Sequence, residues 1–343
     1  MTPRRLVIPA SLEREGADFF AANHDRGRFF NPWGELRLPG PRDLLKWQAG
    51  RRERPPRQIG ALQTIDAPLA GLGEVGGDAR LLWIGHASFL VDLDGVRVLI
   101  DPIFGRAGGV VPRVTRAALD AEEVPAIDAV LVTHGHHDHL DPASLRALAR
   151  RFGPELPFVV PRALGRCLPG ACKRVVELEW WEVLRLGGIE VALVPAQHWH
   201  RRIIDTNRAL WGGFVLRGSR TIYHSGDTGY FGGFRVIGEV FGGIDVACLP
   251  LGAYEPRWFM GGQHMSPESS LDAFHELGAR HLVGMHWGTF DLSDEPVDAG
   301  PRLLRAEIGA RGLEGRRLHV LWPGGSIGIS GDGAARTHGV VAP

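Results

Sequence analysis

Short apolar runs, each followed by glycine or another turn-forming residue, dominate the chain from residue 81 onward. Their length and their content of β-branched and aromatic residues are typical of β-strands. The first half predicts strands at 81–84, 89–93, 96–100, 129–133, 158–160, 174–178 and 189–194. A segment with helical periodicity, residues 142–151, lies among these strands.

The second half of the chain repeats this alternation. It predicts strands at 211–217, 220–224, 246–250 and 282–286, helices at 234–241 and 267–277, and two late strands at 318–322 and 326–330. Strands followed by a helix, twice over, favour two sheets packed together with helices outside. The predicted class is therefore α/β (α+β), in one continuous domain that spans residues 76–330.

The two ends of the chain differ from this domain. Residues 1–75 are rich in Arg, Pro and Gly, yet they contain aromatic side chains such as Phe19, Trp33 and Trp47. Disordered segments rarely hold so many aromatic residues, so we expect this arm to pack on the body of the domain. Residues 331–343 are small and polar, which predicts a flexible tail.

Composition narrows the class of protein. The 343 residues include 39 Lys plus Arg and 39 Asp plus Glu, and this balance argues against nucleic acid as a partner. No apolar run reaches the roughly 18 residues of a membrane-spanning helix, and the first residues lack a convincing export signal. The three cysteines fit neither a disulfide framework nor a cysteine zinc site. We therefore expect a cytoplasmic protein.

Histidine is abundant, with 15 residues, and four of these lie in the segment T-H-G-H-H-D-H-L-D at 133–141. The segment starts where the apolar run 129–132 ends. Because side chains alternate along a strand, His134 and His136 can point the same way, while Asp138 and His139 lie in the turn before the next helix. These donors suit a pair of divalent metal ions. The alternative is a polar loop that contains four histidines, which this spacing disfavours.

Three further donors follow other predicted strands. His198 comes after the run 191–195, Asp227 follows 221–224, and His286 closes 282–285. We expect them to gather with the first four donors at one rim of the sheets. Asp227 is the predicted bridge between two metals, because a carboxylate has two oxygens and the flanking glycines let the backbone approach closely.

The spacing of these donors resembles that of the metallo-β-lactamase superfamily, whose signature is H-x-H-x-D-H. Within it, the chain is similar to the family of phospholipases D that hydrolyse N-acylphosphatidylethanolamine. This similarity covers about residues 25–300 and rests on seven segments. They are G-R-F-F-N-P-W at 27–33, G-H-A-S at 85–88, I-D-A-V-L-V-T at 127–133, Q-H-W at 197–199, G-D-T-G-Y at 226–230, G-A-Y-E-P-R-W-F-M at 252–260 and H-W-G-T-F at 286–290.

The resemblance implies an αββα sandwich, a homodimer and two zinc ions per chain. The implied ligands are His134, His136 and His198 for one ion, Asp138, His139 and His286 for the other, and Asp227 between them. The implied reaction cleaves N-acylphosphatidylethanolamine into N-acylethanolamine and phosphatidate by attack of a metal-bridging hydroxide. Two cations about 3.5 to 4 Å apart can hold such a hydroxide and clamp a phosphodiester. Asp138 and Asp227 would then be catalytic residues.

Gln263 and His264 match a Gln-His pair that faces the metals in that family. We expect His264 to orient the phosphate or to protonate the leaving oxygen, and a surface or helix-capping histidine is the alternative. Tyr254, Arg257 and Trp258 are predicted to bind substrate, since they offer a cation within an aromatic wall.

Trp199, Trp211 and the aromatic residues of the arm could complete an acyl groove, with the arm resting on the inner face of the membrane as a peripheral protein does. Core packing is the alternative for these aromatic residues. A basic cluster could attract anionic lipids, although a solvated loop explains it equally well. It comprises Arg51, Arg52, Arg54 and Arg57.

Four other residues near the motifs receive weaker predictions. Asp101 could accept a hydrogen bond from a ligand histidine, or it could simply end a strand. His86 is expected to make a structural hydrogen bond. His137 and His200 flank ligands, and we expect them to lie behind the ligands or to face solvent.

Other functions remain open at this point. The same fold and metals could hydrolyse another ester, a lactone or an amide. Diiron redox chemistry is disfavoured, because the diiron flavoproteins of the superfamily have a carboxylate where His136 stands. A non-catalytic metal-binding protein is also disfavoured, because structural zinc sites are closed and rich in cysteine.

Overall fold

The computed structural model describes residues 2–34, 36, 38–52, 62–202, 205–313 and 317–341. Nine of the strands precede residue 180: β1 (Arg4–Arg5), β2 (His24–Asp25), β3 (Arg28–Phe29), β4 (Ala79–Gly85), β5 (Ser88–Leu93), β6 (Val96–Ile100), β7 (Ala129–Leu131), β8 (Pro157–Pro161) and β9 (Arg174–Leu178). The others within these ranges are β10 (Glu182–Leu186), β11 (Ile189–Val194), β12 (Arg201–Arg202), β13 (Asp205–Thr206), β14 (Gly213–Arg217), β15 (Thr221–His224), β16 (Val246–Pro250), β17 (His281–Met285), β18 (Leu318–Ile329) and β19 (Ala335–Val340).

Helices flank these strands in the described part of the chain. They are α1 (Ala10–Glu15), α2 (Ala17–Phe20), α3 (Pro41–Arg52), α4 (Pro68–Val75), α5 (Pro142–Phe152), α6 (Gly233–Phe241), α7 (Arg257–Met260), α8 (Pro267–Glu276) and α9 (Ala299–Ala310). The start of α5 follows directly from the sequence. Pro142 occupies its first turn, and the Asp141 carboxylate accepts hydrogen bonds from the Ala143 and Ser144 amides.

Two β-sheets share the long strand β18. One has the order β1-β10-β11-β14-β15-β16-β17-β18, and the other has the order β18-β4-β5-β6-β7-β8-β9. Residues 318–320 of β18 pair in parallel with β17, whereas residues 326–329 pair antiparallel with β4. The strand therefore passes from one sheet to the other.

The two faces of β4 show why the sheets stack. Leu81 and Trp83 belong to the large buried cluster that also contains Phe214 of the opposite sheet. Leu82 and Ile84 belong to a second cluster, which includes Leu145 and Leu148 of α5. Buried apolar residues of α6 and α8 join the large cluster in turn. Two sheets with helices outside confirm the α/β sandwich predicted from the sequence.

Parallel strands in both sheets bring their carboxyl ends to one edge. In one sheet β6, β7 and β8 are parallel neighbours, and in the other β15, β16 and β17 are parallel neighbours. Asp101 follows β6, the 133–141 segment follows β7, Asp227 follows β15 and His286 follows β17. The topology therefore collects the predicted donors from both halves of the chain.

Two segments near the end differ from the sequence prediction. The predicted late strands form one strand, β18, with an irregular register between Leu321 and Ser326. Residues 335–340, expected within a flexible tail, form β19 and pair with β18. β17 pairs with β18 only as far as residue 320, and β19 forms its backbone hydrogen bonds with β18 beyond that point. The small polar side chains of this segment give no sign of such pairing.

Aromatic residues of the arm lie against the body. Trp33 stacks on Trp180 and on Phe231, with ring centroids 5.3 and 4.9 Å apart, and Trp47 stacks on Phe259 at 5.0 Å. None of the helices in the described ranges is long and apolar enough to cross a membrane. The predicted basic cluster lies outside the described side chains; it comprises Arg51, Arg52, Arg54 and Arg57.

Candidate metal centre

The segment 133–141 forms the loop between β7 and α5. Arg202 holds this loop at two points, since its Nη1 donates to the Gly135 carbonyl at 3.0 Å and to the Leu140 carbonyl at 3.1 Å. A Cβ at Gly135 would lie 2.1 Å from His200 Cε1. The spacer between His134 and His136 therefore has to be glycine.

Three imidazoles converge at the first group of donors. His136 Nδ1 lies 3.0 Å from Nε2 of His134 and 3.0 Å from Nε2 of His198. His134 Nδ1 donates to Thr133 Oγ1 at 3.0 Å, because that hydroxyl itself donates to Asp101, and His198 Nδ1 donates to the Gln263 carbonyl at 3.1 Å. Both Nε2 atoms consequently face His136 with lone pairs. Converging lone pairs are what a cation requires.

Asp227 connects this group to a second one. Its Oδ2 lies 3.8 Å from His134 Nε2 and 3.1 Å from His139 Nε2, while its Oδ1 lies 3.1 Å from His286 Nε2. Asp138 Oδ2 lies 3.8 Å from Nε2 of both His139 and His286. The structure thus brings all seven predicted donors together, with Asp227 in the central position.

The buried polar atoms of the second group fit a metal ion. His139 Nε2, His286 Nε2 and Asp227 Oδ1 are buried, and none has a hydrogen-bond partner among the described residues. His139 Nδ1 donates to Asp101 Oδ2 at 2.7 Å, so Nε2 of a neutral His139 would direct a lone pair at the Asp227 carboxylate. That contact is unfavourable unless a metal ion or a proton lies between the two atoms.

The pKa values of these groups reflect the same arrangement. Burial lowers the pKa of His134 and His198 well below the ordinary value, and it lowers the pKa of His136 to about 3. Burial also disfavours charge on His139, but the Asp227, Asp138 and Asp101 carboxylates outweigh it and raise its pKa. Although burial opposes its charge too, Asp227 has a lowered pKa because of His139 and His286. Neutral imidazoles and ionised carboxylates are the forms that bind metals, and a proton on His139 takes the place of the metal charge.

Asp101 supports the centre from behind. Besides His139, it accepts from the Thr133 amide at 2.7 Å and from the Thr133 hydroxyl at 2.6 Å. The residue is fully buried. The sequence left open whether Asp101 accepts a hydrogen bond from a ligand histidine or only ends a strand. The structure shows the hydrogen bond, with His139 as the donor.

Asp101→Asn is expected to weaken metal binding by about 10- to 100-fold, because an amide cannot accept from all three donors and orient His139. The metal retained after dialysis against graded chelator concentrations measures this effect. Asp18→Asn, at an exposed position of α2, serves as the control and should retain metal as the unaltered protein does. Equal retention in Asp101→Asn would show that His139 needs no carboxylate partner.

His264 lies at the edge of the metal centre. Its Nδ1 is 3.8 Å from Asp227 Oδ2, and its ring centroid is 5.4 Å from that of His198 and 5.6 Å from that of His286. Burial lowers its pKa to about 4, and Nδ1 has no hydrogen-bond partner among the described residues. Gln263 is buried and holds His198 through its backbone carbonyl.

The other three predicted substrate residues lie differently. Tyr254 is buried, and Trp258 is half exposed. The Arg257 guanidinium pairs with Glu255 at 3.4 Å and with Glu268 at 3.0 Å. A carboxylate from the start of α8 thus partly neutralises Arg257, and its predicted contact with substrate stays a prediction.

A cleft of about 540 Å³ opens beside His198. Its lining is mainly apolar and includes Phe30, Leu36, Leu38, Trp199 and Trp211. The Trp199 ring also contacts His136, with centroids 5.1 Å apart. Sequence reasoning suggested the two tryptophans but missed the leucines, whose position depends on the path of the arm.

His86 and Arg202 are further residues whose role at the centre emerges from the structure. His86 Nε2 lies 3.0 Å from Asp138 Oδ2, and its ring centroid is 3.9 Å from that of His286. The expected structural hydrogen bond of His86 is therefore made with a candidate metal ligand. Nothing in the sequence marked Arg202, because its partners lie more than 60 residues away.

Comparison with known proteins agrees with this geometry. Residues 96–287, more than half of the chain, match the family model described as beta-lactamase superfamily domain. The chain is 33% identical over 238 residues to N-acyl-phosphatidylethanolamine-hydrolyzing phospholipase D 1 of Caenorhabditis elegans, which covers 64% of this chain and 67% of that protein. The mitochondrial protein of the same name from Saccharomyces cerevisiae is 36% identical over 228 residues, covering 62% of this chain. The match spans only about half of the yeast protein, 48%.

Two other matches extend over nearly whole proteins. A UPF0173 metal-dependent hydrolase of Methanopyrus kandleri is 33% identical over 253 residues, covering 72% of this chain and 98% of that protein. A solved metallo hydrolase from Ignicoccus hospitalis shares the fold with a TM-score of 0.54 and 24% identity, covering 76% of this chain and 98% of that chain. The resemblance seen in the sequence motifs is confirmed. The chain belongs to the metallo-β-lactamase superfamily of metal-dependent hydrolases, among the relatives named N-acyl-phosphatidylethanolamine-hydrolyzing phospholipase D.

Proposed function

We propose that this protein is a zinc-dependent phosphodiesterase of the phospholipase D type, which hydrolyses N-acylphosphatidylethanolamine to N-acylethanolamine and phosphatidate. One observation carries the proposal: seven converging metal donors lie beside an apolar cleft that begins at one of them, His198. A phosphodiester with long acyl chains needs both features. A metal centre alone would fit many other hydrolytic substrates.

Two zinc ions would be held by the two groups of donors. The first group consists of His134, His136 and His198, the second of Asp138, His139 and His286, and Asp227 lies between them. Zinc bound there lowers the pKa of coordinated water and polarises phosphoryl oxygens. Asp138 and Asp227 supply two negative charges, which would offset half of the positive charge of two zinc ions.

His264 orients the phosphate in this proposal. Because burial lowers its pKa to about 4, the imidazole is neutral near pH 7 and has one N–H to donate to a phosphoryl oxygen. The sequence predicted that His264 either orients the phosphate or protonates the leaving oxygen. A neutral imidazole favours the first role, because the second requires a protonated ring. The overall reaction adds one water across the phosphorus–oxygen bond to the ethanolamine group, whose oxygen leaves with a proton.

The apolar cleft would hold an acyl chain. Phe30 is partly exposed there, at 40%, so the cleft offers apolar surface that water now covers. Each methylene that moves from water into it contributes about 0.8 kcal/mol, or roughly fourfold in kcat/KM. Substrate preference should therefore depend on chain length until the cleft is full.

The test uses the zinc-loaded protein and a panel of substrates. We expect kcat/KM to be highest for N-acylphosphatidylethanolamine and to rise by about fourfold per methylene across a series of short N-acyl chains. Phe30→Ser should flatten this rise, whereas Leu303→Ser, a comparably exposed residue of α9, should not. Faster turnover of a lactone, an amide or a simple ester would favour the alternative hydrolase function instead.

Access to a lipid is proposed along α3 and α7. Leu45 of α3 is 64% exposed and Trp258 of α7 is 52% exposed, while Lys46 Nζ lies 4.6 Å from the Trp258 ring centroid. Exposed apolar side chains with an adjacent cation suit the surface of an anionic bilayer. The homodimer and the position at the inner face of the membrane stay predictions.

A further inference from the structure

Another group of metal-binding residue types lies behind the H-x-H loop and shares no residue with the seven donors. Cys167 ends a short helical turn, Gly165–Cys167, His200 precedes β12, and Asp205 begins β13. One ligand atom of each residue lies within 4.8 Å of the other two. The turn and the β12–β13 pair are also joined by Arg166, whose Nη2 donates to Asp205 Oδ2 at 2.7 Å.

His200 is the least satisfied residue of this group. Its side chain is completely buried, and neither ring nitrogen has a hydrogen-bond partner within the described ranges. Burying an imidazole without any partner is costly. Of the two positions predicted for His200, behind the ligands or facing solvent, the structure excludes the second, because the residue is buried behind Gly135, the spacer between His134 and His136.

Asp205 brings a carboxylate to the same place. Its Oδ1 is buried and unpartnered among the described residues, while its Oδ2 is held by Arg166 and lies 3.9 Å from His200 Nε2. A carboxylate with one oxygen engaged and one free is oriented without being satisfied. Carboxylates that bind metals are commonly held by such a hydrogen-bond donor.

Two arginines border the group. Arg166 donates to Asp205 Oδ2 and also hydrogen-bonds the Cys167 side chain, while Arg202 is directed to the carbonyls of Gly135 and Leu140. Once a divalent ion displaces the thiol proton, its two positive charges equal the two negative charges of the thiolate and the carboxylate. Arg166 would then hold both ligands from outside the metal.

We propose that Cys167 Sγ, one ring nitrogen of His200 and a carboxylate oxygen of Asp205 bind a single zinc ion, separate from the pair at the catalytic centre. Cysteine, histidine and aspartate are ordinary zinc ligands, and the half-buried Cys167 leaves room for water as a fourth ligand. The ion fixes the β12–β13 pair to the turn, next to the point where Arg202 holds the H-x-H loop. The site does not depend on the substrate of the enzyme.

Cobalt substitution tests the proposal directly. The full chain is stripped of metal and reloaded with Co²⁺, because a cobalt–thiolate bond gives a charge-transfer absorption that histidine and carboxylate ligands do not give. We expect this absorption in the unaltered protein and its loss in Cys167→Ser, together with the loss of one bound ion per chain. Cys172→Ser, which changes a nearby buried cysteine, should keep both the charge-transfer absorption and the bound ion.

Asp227→Asn separates this proposal from the proposed function. The variant should lose hydrolytic activity and keep the charge-transfer absorption, since Asp227 belongs to the other centre. Absence of the absorption in the unaltered protein, or its persistence in Cys167→Ser, would overturn the proposal.

Alkylation provides a second measurement if Cys167→Ser does not fold. Zn²⁺ should slow the reaction of Cys167 with iodoacetamide by at least tenfold in the unaltered protein and have little effect in Asp205→Asn. Equal alkylation rates with and without Zn²⁺ in the unaltered protein would also overturn the proposal.

Discussion

Asp227→Asn is expected to lower phosphodiesterase turnover by about 10³-fold, the largest effect of any single substitution in this protein. The two carboxylate oxygens of Asp227 face different histidines, with Oδ2 3.1 Å from His139 Nε2 and Oδ1 3.1 Å from His286 Nε2. An asparagine can direct an oxygen to only one of them. The several kcal/mol that metal ions contribute to a hydrolytic transition state correspond to roughly this factor.

The fold should survive this substitution because asparagine matches aspartate in size, but the metal-free protein should have a lower thermal midpoint, since the charge beside His139 is lost. Circular dichroism and the thermal midpoint of the metal-free proteins check this, with turnover measured at saturating Zn²⁺. Asp272→Asn, at a half-exposed residue paired with Arg311, is the matched control and should keep full turnover. Near-normal turnover in Asp227→Asn would show that Asp227 does not bridge two metal ions.

His264→Ala should lower kcat by about 10²-fold or more while the metal content stays unchanged. The reason is position: His264 lies at the edge of the centre, 3.8 Å from Asp227, with its ring beside those of His198 and His286. It can reach a substrate phosphate without belonging to either principal donor group. Single-turnover kinetics together with elemental analysis measure both quantities.

His264→Gln distinguishes the two chemical roles. A glutamine side chain can donate a hydrogen bond to a phosphoryl oxygen but cannot transfer a proton, so partial recovery of kcat relative to alanine supports orientation. Loss of one metal ion per chain in His264→Ala would instead make this residue a ligand, since His264, Asp227 and His286 have ligand atoms within 4.8 Å of one another. Unchanged kcat would leave His264 without a catalytic role.

The sequence predicted the metal donors best where their positions depend on residues nearby in the chain. The strand predicted at 129–133 and the helix predicted at 142–151 place His134, His136, Asp138 and His139 between them, and the structure has these residues between β7 and α5. The ends of β11, β15 and β17 likewise carry His198, Asp227 and His286. These features are local, so they can be identified without the tertiary fold.

Pairings between distant segments were decided only by the tertiary structure. Glu268 partly neutralises Arg257, the arm supplies Leu36 and Leu38 to the cleft, and Cys167 meets His200. None of these pairs has a signal in spacing or composition, because each depends on how separate elements pack. By itself, therefore, the sequence determined the fold class and the order of the metal donors. The packing of sheets, loop and arm decided which charges are free, where an acyl chain fits and which buried groups lack partners, since these depend on contacts in space.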